Sequence, residues 1–128
     1  MWHTPAHLEA NRDRFIEHAT ESGQAWILGH DAGKVFQVDS RSGTRKVILI
    51  WSMEVFARRA MRNLDDTEGW APRKLELAKL LGAFLPRAAK HGLLVGPNFT
   101  SDLKGVELGA EDLGRALRAA APDDPTAG

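Results

Sequence analysis

The chain has 128 residues, 43% hydrophobic and 27% charged, which fits one globular domain with a real core and excludes a disordered chain. Lysine plus arginine and aspartate plus glutamate number 17 each, so no global field favours nucleic acid or an anionic membrane. Cysteine is absent, which removes disulfides, thiolate nucleophiles and cysteine-ligated zinc.

Thr4-Pro5 reads as a helix start, threonine capping the first amides and proline pre-set for the first helical position. Leu8, Phe15, Ile16 and Ala19 recur at helical spacing up to Gly23, which suits a left-handed stop. The period then changes. Ala25-Trp26-Ile27-Leu28 and Val35-Phe36-Gln37-Val38, separated by Asp31-Ala32-Gly33, predict a hairpin. A second turn, Ser40-Arg41-Ser42-Gly43, leads to Val47-Ile48-Leu49-Ile50-Trp51, an unbroken apolar run of the kind buried on both faces. That run is far shorter than the roughly 20 residues that span a bilayer, so no membrane segment is expected.

Ser52 is placed to cap a helix over residues 53–63, with Val55, Phe56, Ala60 and Leu64 inward and Arg58, Arg59 and Arg62 outward. Residues 65–69 form a polar loop that Trp70-Ala71-Pro72 closes. A helix follows over 74–90, carrying Leu77, Leu80, Leu81, Phe84 and Leu85; Pro86 is expected to kink or divide it. Short strands are predicted at 93–96 and 105–108, joined by a turn-rich loop through Pro97, Asn98, Thr100 and Ser101. A last helix spans 110–120. The expectation is a single α+β domain over residues 1–121, one mixed, mostly antiparallel sheet of about five strands with helices packed against it, and a flexible tail at 122–128.

Three stretches carry a resemblance. They are Arg14-Phe15-Ile16 leading to Ala25-Trp26-Ile27-Leu28; Val47 to Trp51 running directly into a helix; and Leu80-Leu81-Gly82-Ala83-Phe84-Leu85-Pro86 with His91-Gly92-Leu93-Leu94-Val95 and Gly105-Val106-Glu107-Leu108. In these the chain resembles the bacterial family known as domain of unknown function 2750, over roughly residues 8–117. Its last part is more distantly similar to the amino-terminal domain of enhanced-serine-sensitivity proteins. The resemblance implies a shared α+β fold and brings no catalytic residues. Arg58, Arg59 and Arg62 depart from the family pattern.

Trp26, Phe36, Trp51, Phe56 and Phe84 read as core. Trp2 and Trp70 lie in polar surroundings, where an aromatic either anchors a partner or lids the core. His3 and His7 stand four apart, but only Glu9 is near as a third ligand, so no metal site and no cofactor is assigned. His18, His30 and His91 are isolated. No phosphate-cradling loop or dinucleotide fingerprint occurs, and Ser22, Ser42, Ser52 and Ser101 each have a turn or capping role. Acidic neighbours of the arginines, with no interleaved exposed aromatics of the kind that stack on bases, argue against nucleic acid.

These readings lead to a cytosolic protein-interaction module, in its more specific form an immunity-type protein that neutralises a toxin. Its contact surface is drawn from Arg58, Arg59, Arg62, Asp65, Asp66, Glu68 and Trp70. The alternative is a small-ligand regulatory domain or an unrecognised enzyme using Pro97, Asn98, Thr100 and Ser101.

Overall fold

The computed structural model describes residues 5–121; the expected threonine cap, Trp2, His3 and the tail at 122–128 lie outside them. Leu8, Phe15 and Ala19 share the buried face of helix α1 (Pro5–Ser22). Gly23, at φ +74°, ends the helix by donating its N–H to the Ala19 carbonyl at 2.9 Å. Strand β1 (Gln24–His30) follows and turns through Gly33 into β2 (Gln37–Asp39) and then β3 (Lys46–Ile50).

β3 explains the core. Val47, Leu49 and Trp51 point to one side, Ile48 and Ile50 to the other, as the two-residue strand period requires. On the first side they meet Leu28, Ala57, Ala60 and Phe99. On the second they meet Phe15, Leu80, Leu85, Leu113 and Leu117. β3 pairs antiparallel with β2 and parallel with β5 (Leu94–Pro97), which pairs antiparallel with β6 (Leu108–Gly109). β6 begins later than the expected 105–108 strand, because Gly105 lies against the Phe99 ring instead of in the ladder.

The α+β class and the mostly antiparallel pairing agree with expectation, but six strands form two sheets where one of about five was anticipated. The additional strand is β4 (Trp70–Glu76), paired antiparallel with β1, in a segment read as loop and helix start. Its alternating pattern is masked by Pro72, Arg73 and Lys74. Pro72 sits opposite Leu28, whose carbonyl accepts from Phe36 on the other side. The missing proline amide therefore falls on the outer edge, where a strand tolerates it. The two sheets are not separate bodies. Trp26 and Trp51 exchange backbone hydrogen bonds of 2.7 and 2.8 Å, and Gly29 bridges Val35.

Helix α2 (Glu54–Met61) buries Ala57 and Ala60. Val55 was expected inward but is exposed, since the small alanine face is the one that packs. Ser52 does not cap this helix. Met53 occupies the cap position without a side-chain bond, because the Ser52 side chain is drawn inward to Asn98. After β4, α3 (Leu77–Lys79) runs through a π-helical stretch, Leu80–Phe84, into α4 (Leu85–Lys90). The division expected from Pro86 takes this form: the Leu85 N–H reaches back to the Leu80 carbonyl, opening a wider turn just before the proline. Helix α5 (Ala110–Ala120) closes the chain over α1 and α4. Among the described residues no helix is long and apolar enough to cross a membrane.

Candidate functional site

The parallel strands β3 and β5 end side by side, and the chain leaves them at Trp51-Ser52 and Asn98-Phe99. Asn98 holds the two ends together. Its N–H donates to the Ile50 carbonyl at 2.8 Å, its Oδ1 accepts from the Ser52 N–H at 2.9 Å, and its Nδ2 donates to Ser52 Oγ at 3.0 Å. Asn98 and Ser52 are only 6% and 3% exposed, so these bonds satisfy groups that water does not reach. Asn98 adopts φ 50°, a left-handed conformation asparagine tolerates better than most residues. Leu103, at φ 63°, is the other described non-glycine residue with positive φ and lies in the same loop. Strained backbone of this kind concentrates where a binding or reacting site is built.

The loop after β5 is tied from several sides. Trp51 Nε1 donates to the Phe99 carbonyl at 3.0 Å, and the Thr100 N–H donates to the Lys104 carbonyl at 2.8 Å. The Asn63 side-chain amide donates to the Ser101 carbonyl, and the Thr100 hydroxyl to Asp102. Between this loop, α1 and α2 lies a cleft of about 200 Å³ lined by Asn11, Arg14, Trp51, Phe56, Arg59, Asn98, Phe99, Thr100 and Ser101. The Arg59 guanidinium stands over the Phe56 ring, 5.9 Å from its centroid. Arg14 Nη1 donates to Asn11 Oδ1 at 3.1 Å. Among the described residues no carboxylate lines the cleft.

Residues assigned from sequence to two different surfaces meet here: Arg59 from the arginine cluster, and Asn98, Thr100 and Ser101 from the turn-rich loop. Pro97 is fully buried in β5. Arg58 instead pairs with Glu54 on the exposed side of α2. Arg62, Asp65, Asp66 and Glu68 are exposed at the end of α2 and in the following loop, where Asp66 Oδ1 accepts from the Glu68 N–H at 3.0 Å. Trp70 is elsewhere, half-buried in β4 with its ring edge-on to His30 and Phe36 at 5.0 and 5.6 Å. Among the described residues no three His, Asp or Glu side chains converge to hold a metal ion.

Sequence reasoning missed Asn11, Arg14, Ser52 and His18. His18 Nδ1 lies 3.3 Å from Ser52 Oγ, but the hydroxyl is buried and engaged by Asn98, which suits holding the loop more than attacking a substrate. Only the parallel pairing of β3 with β5 brings Ser52 to Asn98. Asn11 and Arg14 carried one usable signal, three-residue spacing on the wet face of α1.

The model of the family described as Protein of unknown function (DUF2750) matches residues 12–117. The chain belongs to this family. In this DUF2750 chain the matched span takes in all six strands and every residue lining the cleft except Asn11. No curated protein matches it.

Proposed function

We propose that the protein is a binding module whose site is the cleft beyond the carboxyl ends of β3 and β5, and that it takes a small anionic group. The observation that carries this reading is the lining itself: two guanidinium groups, a hydroxyl-bearing loop and, among the described residues, no carboxylate, set on a buried Asn98–Ser52 anchor. Arginine is the side chain best suited to carboxylate or phosphate, and ligands of α/β sheets collect at this end of parallel strands. The volume suits one oxyanion and its immediate substituents better than a large cofactor. We place this activity in the reducing cytosol, in keeping with a chain that uses no cysteine. Titration of isotope-labelled protein with inorganic phosphate and with acetate tests it. Saturable shifts at the Thr100 and Ser101 amides, lost in Arg59→Glu, support the reading. Shifts spread over the whole basic surface, or none, sink it.

A second reading, a protein-interaction module of the immunity type, is favoured by a separate observation. Met53 and Val55, 43% and 42% exposed, are the exposed large hydrophobics of the described chain, and both open α2 beside Arg58. A partner-facing surface combining these with Arg62, Asp65, Asp66 and Glu68 joins apolar contact to charge steering. Capture from native lysate decides between them. A stoichiometric protein lost with Val55→Glu and Asp66→Lys but kept with Thr100→Ala assigns the α2 surface; retention in all variants removes it.

A further inference from the structure

A larger cleft, about 690 Å³, opens at the opposite end of β3, lined by residues from the start of β3, the β1–β2 turn, β4 and α4. Its floor is the seam between the two halves of the core. Phe36 and Trp70 flank one half; Val35, Phe84 and Leu93 flank the other. Phe36, Trp70 and Phe84 remain half-buried there. The π-helical stretch ends at Phe84, and the residue it adds turns the following helix by about 100° relative to an uninterrupted α-helix. That rotation sets Phe84, Arg87, Ala88 and His91, at helical spacing, along the cleft.

The rim is one-signed. Lys34, Lys46 and Arg87 line the cleft beside His91, and among the described residues no carboxylate does, in a chain whose acidic and basic residues balance. Lys46 is paired with Asp39 at 2.5 Å. The side chains of Lys34, Arg87 and His91 make no ion pair or hydrogen bond among the described residues. An aromatic floor under uncompensated cations is complementary to one kind of occupant. We propose that this cleft binds a small organic anion with a flat aromatic body, the ring system over Phe36, Trp70 and Phe84 and the anionic group toward Lys34 and Arg87. The volume lies within the range of small-molecule sites, and arginine both pairs with the anion and stacks on the ring. This site is separate from the oxyanion cleft, which lies past the other end of the same strand.

Two fluorescent probes of nearly one skeleton test it on the full chain: anilinonaphthalene sulfonate, which is anionic, and N-phenylnaphthylamine, which is neutral. The sulfonate is expected to bind saturably at one site, about tenfold or more tighter than the amine. Lys34→Glu with Arg87→Glu weakens the sulfonate by about tenfold or more and leaves the amine unchanged. Arg59→Glu, at the far end of β3, changes neither. Both rim residues are exposed, so the fold is expected to survive; Lys34→Gln with Arg87→Gln gives the same ranking at smaller amplitude. Absence of saturable binding, equal affinity for the two probes, or an equal loss with Arg59→Glu overturns the proposal. So does sulfonate binding that appears only in a variant whose thermal transition has broadened.

Discussion

Arg118 reaches from α5 to donate from Nη2 to the main-chain carbonyl of Leu81 at 3.2 Å. The helix that owns this carbonyl cannot satisfy it. The Leu85 N–H is spent on Leu80, and the next residue, Pro86, has no N–H to give. One side chain thus completes the wider turn and clamps α5 to it. Arg118→Met, which keeps the aliphatic stem, is expected to lower unfolding free energy by about 1 kcal/mol. In a Pro86→Ala background, where residue 86 regains a donor, the same change should cost measurably less. Urea denaturation of the four proteins of this double-mutant cycle checks the coupling.

The Asn98–Ser52 pair predicts a steeper loss. Asn98→Ala removes the acceptor of a buried N–H and the donor to a buried hydroxyl, and leaves alanine in a left-handed conformation. A destabilisation of about 2–4 kcal/mol is expected. Asn98→Gly removes the same bonds without the backbone strain and should recover about 1 kcal/mol of it. Equal losses in the two variants, measured by chemical denaturation, would mean that strain contributes nothing here.

The Phe99 ring lies between two backbones. A Cβ added at Gly96 or at Gly105 would collide with its atoms. Gly105→Ala is expected to cost about 1–3 kcal/mol, the range for overpacking a filled core. Part of that cost should vanish in a Phe99→Leu background. A penalty that persists undiminished would assign the need for glycine to something other than the ring.

Trp70 is expected to act as a lid on the core. Its edge contacts with His30 and Phe36 make Trp70→Ala costly by about 2–3 kcal/mol, while Trp70→Phe keeps most of the packing and should cost less than half of that. Thermal denaturation followed by circular dichroism resolves the difference.

Elements with a strong period were legible in the sequence. β3 announced itself by five consecutive apolar residues, α5 by Leu113 and Leu117 on one face, and the two turns by Gly33 and Gly43. β4 was not, because an edge strand beside one neighbour carries few apolar residues and tolerates Pro72. The cap at Ser52 failed for a tertiary reason: its buried bonds to Asn98, 46 residues away in sequence, take it out of the helix start. The strand-end cleft was half legible. The loop 97–101 and Arg59 stood out singly, but their meeting depends on a parallel pairing that no local pattern encodes.

The pairing of β1 with β4 and of β3 with β5 has a kinetic consequence. Gln24 waits for Glu76 and Val47 for Leu94, so neither ladder can close until most of the chain has been synthesised. Until then the nascent chain carries the apolar β3 segment with β2 as its only ladder partner. The early helices and the β2–β3 turn rest on local contacts, while the strand ends that build the cleft wait for β5. A chain that displays the strand-end cleft has therefore already closed the ladder between β3 and β5.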